Sequence, residues 1–393
     1  MKYDFDTSVN RRNTNSLKWD VGENELPMWV ADMDFHTAPE VLAAIQARAA
    51  HGVFGYSVIP DAWYDAYIGW WERRHGFAME KDWLIFCTGV VPAISSTVRK
   101  LTTPAEKVLI QTPVYNIFFN SILNNGRQVL ESSLQYKDGQ YEIDFDDLER
   151  KLSDPQTSLM ILCNPHNPVG KIWDKETLKR IGELCWKHHV TVLSDEIHCD
   201  LTDPGREYIP FASVSDTCRE ISVTCIAPTK AFNLAGLQTA AVSIPNPVLR
   251  HKVWRALNTD EVAEPNAFAV DAAIAAFTKG DTWLDALRSY IYENKKRAVE
   301  FVRETIPHAR VVPSHATYLL WLDCSDMAGS ATEAAEFIRE KTGLYISEGS
   351  QYGQAGESFL RINVACPRST LEEGLERLRR GLAQYEQYVL NDC

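Results

Sequence analysis

Short apolar runs alternate with amphipathic stretches through the middle of the chain. Six of these runs predict buried β-strands, at residues 84–88, 107–111, 158–163, 190–194, 221–226 and 239–244. Between the third and fourth runs, apolar residues recur with helical spacing at Leu178, Ile181, Leu184 and Cys185. Strands that alternate with helices favour a mostly parallel sheet covered by helices on both faces, which is a three-layer α/β architecture.

The pattern changes near residue 285. A long helical period comes first and is followed by three shorter stretches that predict strands, at residues 315–323, 344–348 and 358–365. A last amphipathic helix is predicted after Pro367. This second pattern is typical of a smaller α/β domain.

The two patterns define the expected domain organisation. We predict a large domain over residues 36–284 and a small domain that combines residues 1–35 with residues 285–393. The first 35 residues show no clear period, and we expect them to pack across the small domain.

Composition excludes several classes of protein. The chain has 393 residues and a formal net charge of −13, which argues against nucleic acid or an anionic membrane as its main partner. It contains no run of about 18 apolar residues, and its polar N-terminus does not resemble a signal peptide. The nine cysteines include no CxxC pair, which favours free thiols in a reducing compartment. We therefore expect a soluble, cytoplasmic protein.

Chemically useful residues follow five of the predicted strands, at the point where each strand ends. They are Val90 and Val91 in a glycine-led helix start, Tyr115, Asn167 in the turn NPHNPVG, Asp195 with His198, and Lys230. Ligands bind just beyond the carboxyl ends of the strands in open α/β sheets. A helix start also offers free N–H groups to a phosphate. We therefore expect one binding site at this edge of the sheet.

The lysine is the most informative member of this set. Lys230 lies in the stretch APTKAFNLAG, residues 227–236, among small and apolar neighbours, whereas most lysine side chains are exposed. Pyridoxal phosphate (PLP) chemistry explains such a position. A desolvated amine can bind the cofactor aldehyde as a Schiff base and can then remove the substrate's Cα proton. A carboxylate at Asp195 would keep the pyridine nitrogen protonated.

Each of these residues also has a purely structural interpretation. Lys230 could lie at an exposed loop tip, Asp195 could cap a helix, and the NPHNPVG segment could be only a turn. Tyr115 and Tyr56 could be core aromatics, and Arg361 could be exposed on one face of its strand. The convergence of five strand ends favours the functional interpretation.

A metal hydrolase is the other chemical class that the sequence raises. The segments CWKHH (185–189) and DEIHCD (195–200) contain potential transition-metal ligands. His188 and His189 are adjacent, however, and adjacent residues of a helix do not face one point. We expect no metal site from this pattern.

Three motifs resemble those of fold-type I PLP enzymes, namely NPHNPVG (164–170), SDEIHCDL (194–201) and PTKAFNLAGLQ (228–238). More narrowly, the chain resembles the MalY/PatB branch of cystathionine β-lyases, which are C–S lyases related to aminotransferases. The segments MWVADMDF (28–35) and GSQYGQAGESFLRINVACPR (349–368) also resemble that branch, so the resemblance covers nearly the whole chain. It implies an aminotransferase-like fold with a PLP-binding large domain, and a homodimer.

The resemblance implies a role for each candidate residue at the cofactor. Lys230 would be the Schiff-base lysine and Asp195 the partner of the pyridinium nitrogen. Asn167 would bind the ring oxygen, and Tyr115 would stack on the ring. The phosphate would be bound by the helix-start N–H groups and by a threonine, namely Val90, Val91 and Thr229. Lys230, Asp195 and Tyr115 are thus the expected catalytic residues.

Substrate contacts and contacts between subunits are implied in the same way. Arg361 would bind the substrate's α-carboxylate, because a planar guanidinium suits two oxygens, and Tyr115 and Asn167 would lie beside it. Tyr56 would reach the phosphate from the neighbouring subunit. His198 stands where aminotransferases often carry a tyrosine near the ring oxygen, and its implied role is supportive.

Three positions differ from the wider class. Ala227 stands where many relatives have a serine, and Thr229 would replace the lost phosphate contact. Gln238 stands where many relatives have an arginine, but the lyase branch commonly has glutamine there, which supports the narrower resemblance. Asn116 stands where some C–S lyases have a second tyrosine in the substrate pocket, which leaves the preferred substrate open.

The residues predict a PLP-dependent enzyme, and the resemblance implies that it is a C–S β-lyase. It would cleave L-cystathionine or a related cysteine S-conjugate to a thiol, pyruvate and ammonia. An aminotransferase is the first alternative, because the same residues could return the proton to the cofactor instead. A regulatory binding role beside the lyase activity is the second alternative, and the MalY resemblance implies it.

Overall fold

The computed structural model describes residues 3–392. Its helices are α1 (Pro39–His51), α2 (Asp61–His75), α3 (Val90–Leu101), α4 (Ile117–Leu123), α5 (Phe145–Leu152), α6 (Lys175–Lys187), α7 (Asp216–Ile221), α8 (Pro247–Thr259), α9 (Ala269–Lys279), α10 (Asp281–Thr305), α11 (Ala331–Thr342) and α12 (Arg368–Asp392). Its strands are β1 (Leu26–Pro27), β2 (Leu84–Cys87), β3 (Lys107–Ile110), β4 (Gln128–Glu131), β5 (Gln135–Lys137), β6 (Gln140–Glu142), β7 (Thr157–Cys163), β8 (Thr191–Asp195), β9 (Ser222–Ile226), β10 (Ala240–Ser243), β11 (Arg310–Val311), β12 (Leu319–Asp323), β13 (Leu344–Tyr345), β14 (Ser347–Glu348) and β15 (Phe359–Asn363). None of the described helices is both long and apolar enough to cross a membrane.

Seven strands form the central sheet, in the order β2-β10-β9-β8-β7-β3-β4. Strand β10 is antiparallel to both of its neighbours, and the other six strands run in one direction. All six strands predicted from apolar runs lie in this sheet, so the prediction of a mostly parallel sheet is confirmed. The sequence analysis missed β4, an edge strand whose residues are half-buried or exposed and therefore form no buried apolar run.

Helices cover both faces of this sheet, because successive residues of a strand point to opposite sides. On β7, Leu159 and Ile161 pack with α3, α4 and α8, whereas Met160 and Leu162 pack with α5, α6 and α7. The apolar face predicted for α6 is buried in this second layer. Each fully buried aliphatic side chain of this kind contributes about 2 kcal/mol through the hydrophobic effect. The predicted three-layer architecture is therefore confirmed.

A second sheet lies in the C-terminal part of the chain. It is antiparallel, has the strand order β11-β12-β15-β14, and packs with α10, α11 and α12 in one apolar cluster. The strand predicted over residues 344–348 is divided in two, since β13 pairs with β1 and β14 joins the four-stranded sheet. The predicted helix after Pro367 is α12.

The N-terminal segment contacts both parts of the molecule. Leu26 and Met28 lie in the apolar cluster of the second sheet, as expected for a segment that packs across the small domain. Phe5 and Phe35, however, lie in a different cluster with α2 and α9. The domain boundaries at residues 36 and 284 stay predictions.

Candidate active site

A cavity of about 270 Å³ lies at the carboxyl ends of the parallel strands. Eight of the ten predicted site residues line it, namely Val90, Val91, Tyr115, Asn167, Asp195, His198, Thr229 and Lys230. Asp195 is the last residue of β8, and the other seven follow β2, β3, β7, β8 and β9 along the chain. The structure therefore brings together the five strand ends that the sequence singled out.

Lys230 follows β9 and points into this cavity. Its Nζ donates a hydrogen bond of 2.6 Å to the carbonyl oxygen of Ala31, which also accepts one of 2.9 Å from the hydroxyl of Tyr318. Burial lowers the pKa of Lys230 to about 8, although the nearby charge of Asp32 opposes this shift. About a tenth of the amine is therefore unprotonated at pH 7, and a nucleophile or a base needs this form.

Asp195 is the last residue of β8 and is buried at the cavity wall. One of its oxygens accepts a hydrogen bond of 3.2 Å from the backbone N–H of Ile197. Burial raises the pKa of Asp195 to about 7, and the charge of Lys230 only partly offsets this rise. The carboxylate therefore lacks a full counter-charge among the described residues.

The neighbouring carboxylate has a different role. Glu196 is buried and accepts hydrogen bonds from Ser194 (2.7 Å), from the backbone N–H of Phe211 (2.9 Å) and from Tyr208. Its oxygens are thus satisfied by the surrounding fold, and it does not line the cavity. Of these two adjacent acids, Asp195 is the one available to a ligand.

The start of α3 forms another wall of the cavity. Gly89 precedes the helix and supplies no side-chain cap, and the first turn contains no acidic residue. Val90 and Val91 both line the cavity. The unsatisfied N–H groups and the positive end of the helix dipole therefore favour an anion here.

Arg361 lies on β15 and is buried, so the interpretation as an exposed strand residue is wrong. Its guanidinium donates a hydrogen bond of 2.8 Å to the carbonyl of Trp29 and one of 3.4 Å to the side-chain oxygen of Asn167. Its carbon Cζ lies 4.9 Å from the ring centroid of Tyr352. Its Nε has no hydrogen-bond partner within residues 3–392. Asn167 links this partly unsatisfied cation to the cavity.

Burial keeps two further side chains of the cavity uncharged. It lowers the pKa of His198 to about 3, with help from the charges of Lys230 and Arg361. It raises the pKa of Tyr115 to about 12, with help from Asp195. His198 is therefore a neutral imidazole, and Tyr115 keeps its hydroxyl proton, at neutral pH.

The structure does not bring Tyr56 to the cavity of its own chain. Its side chain is fully exposed, in a segment between α1 and α2 that also exposes Phe54. The groove beside these two aromatic residues includes Gln238, which lines the cavity as well. A contact of Tyr56 with a neighbouring subunit stays a prediction.

Sequence reasoning missed the contribution of the N-terminal segment. Ala31 and Trp29 act through backbone carbonyls, and Tyr318 comes from just before β12. A carbonyl leaves no trace in the side-chain pattern, and none of these residues follows a strand of the central sheet. The only signal was the resemblance of residues 28–35 to the lyase branch.

A separate cluster of His75, Cys199 and Asp200 has potential metal-ligand atoms within 4.8 Å of one another. One oxygen of Asp200 already accepts hydrogen bonds from His75 and from Trp70, both of 2.9 Å. Burial opposes ionisation, but the hydrogen bond from His75 keeps the pKa of Asp200 below its usual range. We interpret this cluster as a hydrogen-bonded group that ties α2 to the turn after β8.

The fold and the site together define an α/β protein with an enclosed lysine, a buried aspartate and an anion-binding helix start. The sequence profile of the family described as "Aminotransferase class I and II" matches residues 20–378. The chain is 44% identical to cystathionine beta-lyase PatB of Bacillus subtilis (strain 168), over 96% of this chain and 100% of PatB. It is 33% identical to protein MalY of Escherichia coli (strain K12), over 96% of this chain and 98% of MalY.

A solved structure gives the same result. The chain superposes on cystalysin from Treponema denticola, which contains a pyridoxal 5′-phosphate cofactor, with a TM-score of 0.95 and 34% identity. The match covers 98% of this chain and 100% of that chain. The chain belongs to the aminotransferase class I and II family. Within that family it is similar along its whole length to PatB and MalY, so the predicted resemblance is confirmed.

Proposed function

We propose that this protein is a PLP-dependent C–S β-lyase that cleaves L-cystathionine or a related cysteine S-conjugate. One observation carries the proposal. The enclosed Lys230 amine, the Asp195 carboxylate and the uncapped start of α3 line one cavity, in a chain that is 44% identical to a cystathionine beta-lyase. The products would be a thiol, pyruvate and ammonia.

The residues present fit the cofactor. The start of α3 suits a phosphate, because its N–H groups are not capped by a side chain. Asp195 is a buried carboxylate without a full counter-charge, and a protonated pyridine nitrogen would supply one. Nδ1 of His198 has no hydrogen-bond partner among the described residues, which leaves it free for a ring substituent. Lys230 would hold the aldehyde, and Asn167, Tyr115 and Thr229 would complete the contacts.

The base in the reaction would be Lys230. PLP, when bound, supplies an electron sink that stabilises negative charge at the substrate's Cα. With a pKa of about 8, the Lys230 amine is basic enough to take the Cα proton and is not fully protonated near neutral pH. Asp195, as an anion, would keep positive charge on the cofactor ring.

Arg361 would bind the substrate's α-carboxylate. Its buried guanidinium already donates to Trp29 and Asn167, which fix its orientation, while its Nε is unpaired within residues 3–392. A fixed planar cation can bind both oxygens of a carboxylate, and this contact sets which Cα bond faces the base. Tyr115 and Asn167 would line the substrate beside it.

The net reaction consumes one water molecule. The Cα proton passes to Lys230, and the Cβ–S bond breaks with its electron pair going to sulfur, which leaves as the thiol after protonation. The remaining three-carbon enamine tautomerises, and water replaces its nitrogen to give pyruvate and ammonia. No oxidant or keto acid is required.

We further propose a cytoplasmic homodimer. The segment between α1 and α2 exposes four large apolar side chains, namely Val53, Phe54, Tyr56 and Val58. A second copy on this face would cover these side chains. The groove beside Tyr56 and the cavity share Gln238 as a wall residue, so the second copy would place Tyr56 of the partner subunit near the cavity. The eight cysteines of the described residues are free and buried, which suits a reducing compartment.

The experiment that tests the proposed function is a pyruvate assay with L-cystathionine and no added keto acid. We expect pyruvate and the thiol in equal amounts, and no pyruvate from Lys230→Ala. Turnover that requires an added keto acid would instead indicate the aminotransferase alternative. The regulatory role stays a prediction.

A further inference from the structure

Residues 29–35, here called the strap, contact Lys230, which follows a strand of the central sheet, and Arg361, which lies on a strand of the second sheet. The carbonyl of Ala31 accepts hydrogen bonds from Lys230 Nζ (2.6 Å) and from the hydroxyl of Tyr318 (2.9 Å). Two residues earlier, the carbonyl of Trp29 accepts one of 2.8 Å from Arg361. The strap therefore contacts both the proposed base and the proposed carboxylate-binding residue through its backbone.

One asparagine holds the strap from the lysine side. Asn233 lies three residues after Lys230 and accepts a hydrogen bond of 3.0 Å from the backbone N–H of Met33. Its amide nitrogen donates to the carbonyls of Met33 and Phe35, both at 3.0 Å. Its φ of 56° lies in the left-handed region, which asparagine tolerates better than most residues. The loop that carries Lys230 is thus tied to the strap by three hydrogen bonds.

A second asparagine holds the strap from the arginine side. Asn363 lies two residues after Arg361 on β15 and is buried. Its amide nitrogen donates to the carbonyls of Val30 and Asp32, both at 2.6 Å, on either side of Ala31. Its side-chain oxygen accepts a hydrogen bond of 2.8 Å from Ala365, which fixes the amide's orientation.

The charged residues of the strap are neutralised from its other side. Asp34 pairs with the buried Lys18 and with Arg11, both at 2.8 Å. Asp32 pairs with Arg11 at 2.7 Å. The cations of these ion pairs lie before the strap in the chain. The strap's contacts with the Lys230 loop and with β15 are made instead by the two asparagines and by backbone carbonyls.

We propose that Asn233 and Asn363 are positioning residues for Lys230, and that they act by fixing the Ala31 carbonyl to which the free amine is hydrogen-bonded. A carbonyl oxygen can only accept, so the amine must point an N–H at Ala31 and its lone pair elsewhere. This contact restricts the direction from which Lys230 can take a proton, and a fixed base reacts faster than a mobile one. The inference rests on the proposed function, because it assigns Lys230 the role of base.

The test compares two strap variants with a matched control. Asn363→Ala removes the two hydrogen bonds that the Asn363 amide donates to the strap. Asn233→Gly removes the three hydrogen bonds between Asn233 and the strap, and glycine tolerates the left-handed backbone at this position. Asn294→Ala is the control, because Asn294 is equally buried and donates to two carbonyls outside the strap, those of Val364 and Cys366. Each protein is assayed as the holoenzyme with L-cystathionine and with its Cα-deuterated form.

Both strap variants should lower kcat by about 10- to 100-fold, the effect of a misplaced catalytic group, with a KM within about threefold of the parent value. The isotope effect of Cα deuteration on kcat should rise, because proton removal becomes the slow step. The control should leave kcat and the isotope effect close to those of the parent. A variant that was merely less well folded would lower kcat without changing the isotope effect, and that result would overturn the proposal.

A second readout does not depend on the reaction. In the cofactor-free full chain, the rate at which a small acylating reagent modifies Lys230 is measured by peptide mass spectrometry. The rate should rise several-fold in the strap variants and not in the control, because the amine is no longer held at Ala31. An unchanged rate would contradict the proposal. If Asn363→Ala failed to fold, the same measurements on Asn233→Gly would test the proposal. A parent protein without lyase activity would refute the proposed function, whereas the acylation rates would still test the role of the strap.

Discussion

Burial determines how two ionisable groups of the cavity, Asp195 and Lys230, hold their protons. It raises the pKa of Asp195 to about 7 and lowers that of Lys230 to about 8. Exposed side chains of these types titrate several pH units away from these values. Both groups can therefore change charge near neutral pH, which suits the proposed contact with a cationic ring and the proposed proton transfer.

Asp195→Asn should change how the stability of the cofactor-free protein depends on pH. The folded chain binds the Asp195 proton more tightly than the unfolded chain does. The stability that this proton contributes is therefore fully present below about pH 4 and is lost as the pH rises through about 7. The variant has no such loss. The difference in free energy of unfolding between variant and parent, measured with urea, should therefore rise in favour of the variant by up to about 4 kcal/mol from about pH 4 to about pH 8. A difference that did not vary with pH would contradict the burial of a chargeable group here.

Much of the site was predictable at the scale of single residues. Lys230 and Asn167 each follow a strand, Asp195 ends one, and the three residue types match one chemistry, so their positions and their types point to the same site. The carbonyl of Ala31 could not be predicted, because a backbone group has no sequence signature and its partner is 199 positions away. The exposed Tyr56 came only from the family resemblance, and its role stays a prediction.

At the scale of elements, the start of α3 illustrates how the fold makes a site without charged side chains. The helix begins directly after the turn at Gly89, and its first turn lines the cavity with Val90 and Val91. The backbone N–H groups and the helix dipole supply the positive potential. An acidic residue in this turn would cancel that potential.

Val91→Glu should therefore weaken binding of PLP. We expect the dissociation constant to rise by about tenfold or more, because the new carboxylate lies beside the phosphate and at the positive end of the dipole. Val91→Gln is the control of equal size, and it should bind the cofactor nearly as well as the parent. Fluorescence titration of the cofactor-free proteins measures both constants. Equal losses in the two variants would point to steric effects and against a phosphate site at this helix.

Arg361, on strand β15, is the residue proposed to bind the substrate's α-carboxylate. Arg361→Lys keeps the positive charge but loses the planar fork, so KM for L-cystathionine should rise by roughly 10- to 100-fold while kcat changes less. Arg310→Lys is the control, because Arg310 lies on β11 with a largely exposed side chain. Steady-state kinetics of both variants test this. A KM for Arg361→Lys that matched the parent's would remove Arg361 from the substrate site.

The elements themselves were predictable to different degrees. The six strands from apolar runs have ends within about two residues of the prediction, since strands buried on both faces are continuously apolar. The edge strand β4 and the short pairs β1–β13 and β5–β6 were missed or merged, because strands of two to four residues are too short to show a distinct period. The division of residues 344–348 between two sheets depends on pairing with the distant β1, which no local pattern contains.

At the scale of the whole molecule, the active site is expected to be shared between two copies of the chain. The segment around Tyr56 is exposed and apolar, and the groove beside it reaches Gln238 at the cavity wall. A shared site would have a direct consequence for mixtures of variants.

Mixing a Tyr56→Ala chain with a Lys230→Ala chain should restore lyase activity. In a mixed dimer, one of the two sites combines Lys230 of the first chain with Tyr56 of the second and is therefore complete. Activity should rise several-fold above that of either variant alone after unfolding and refolding the mixture together. Refolding the two variants separately and then combining them is the control. No gain on co-refolding would show that each chain builds its site alone.

Lys230 is proposed to be the amine that holds the cofactor. Borohydride reduction of the PLP-loaded protein, followed by peptide mapping, tests this role. We expect one stable pyridoxyl label per chain, located in the peptide that contains Lys230, and no label in Lys230→Ala. A label on a different lysine, or a loaded protein that yields no label at all, would show that Lys230 is not that amine.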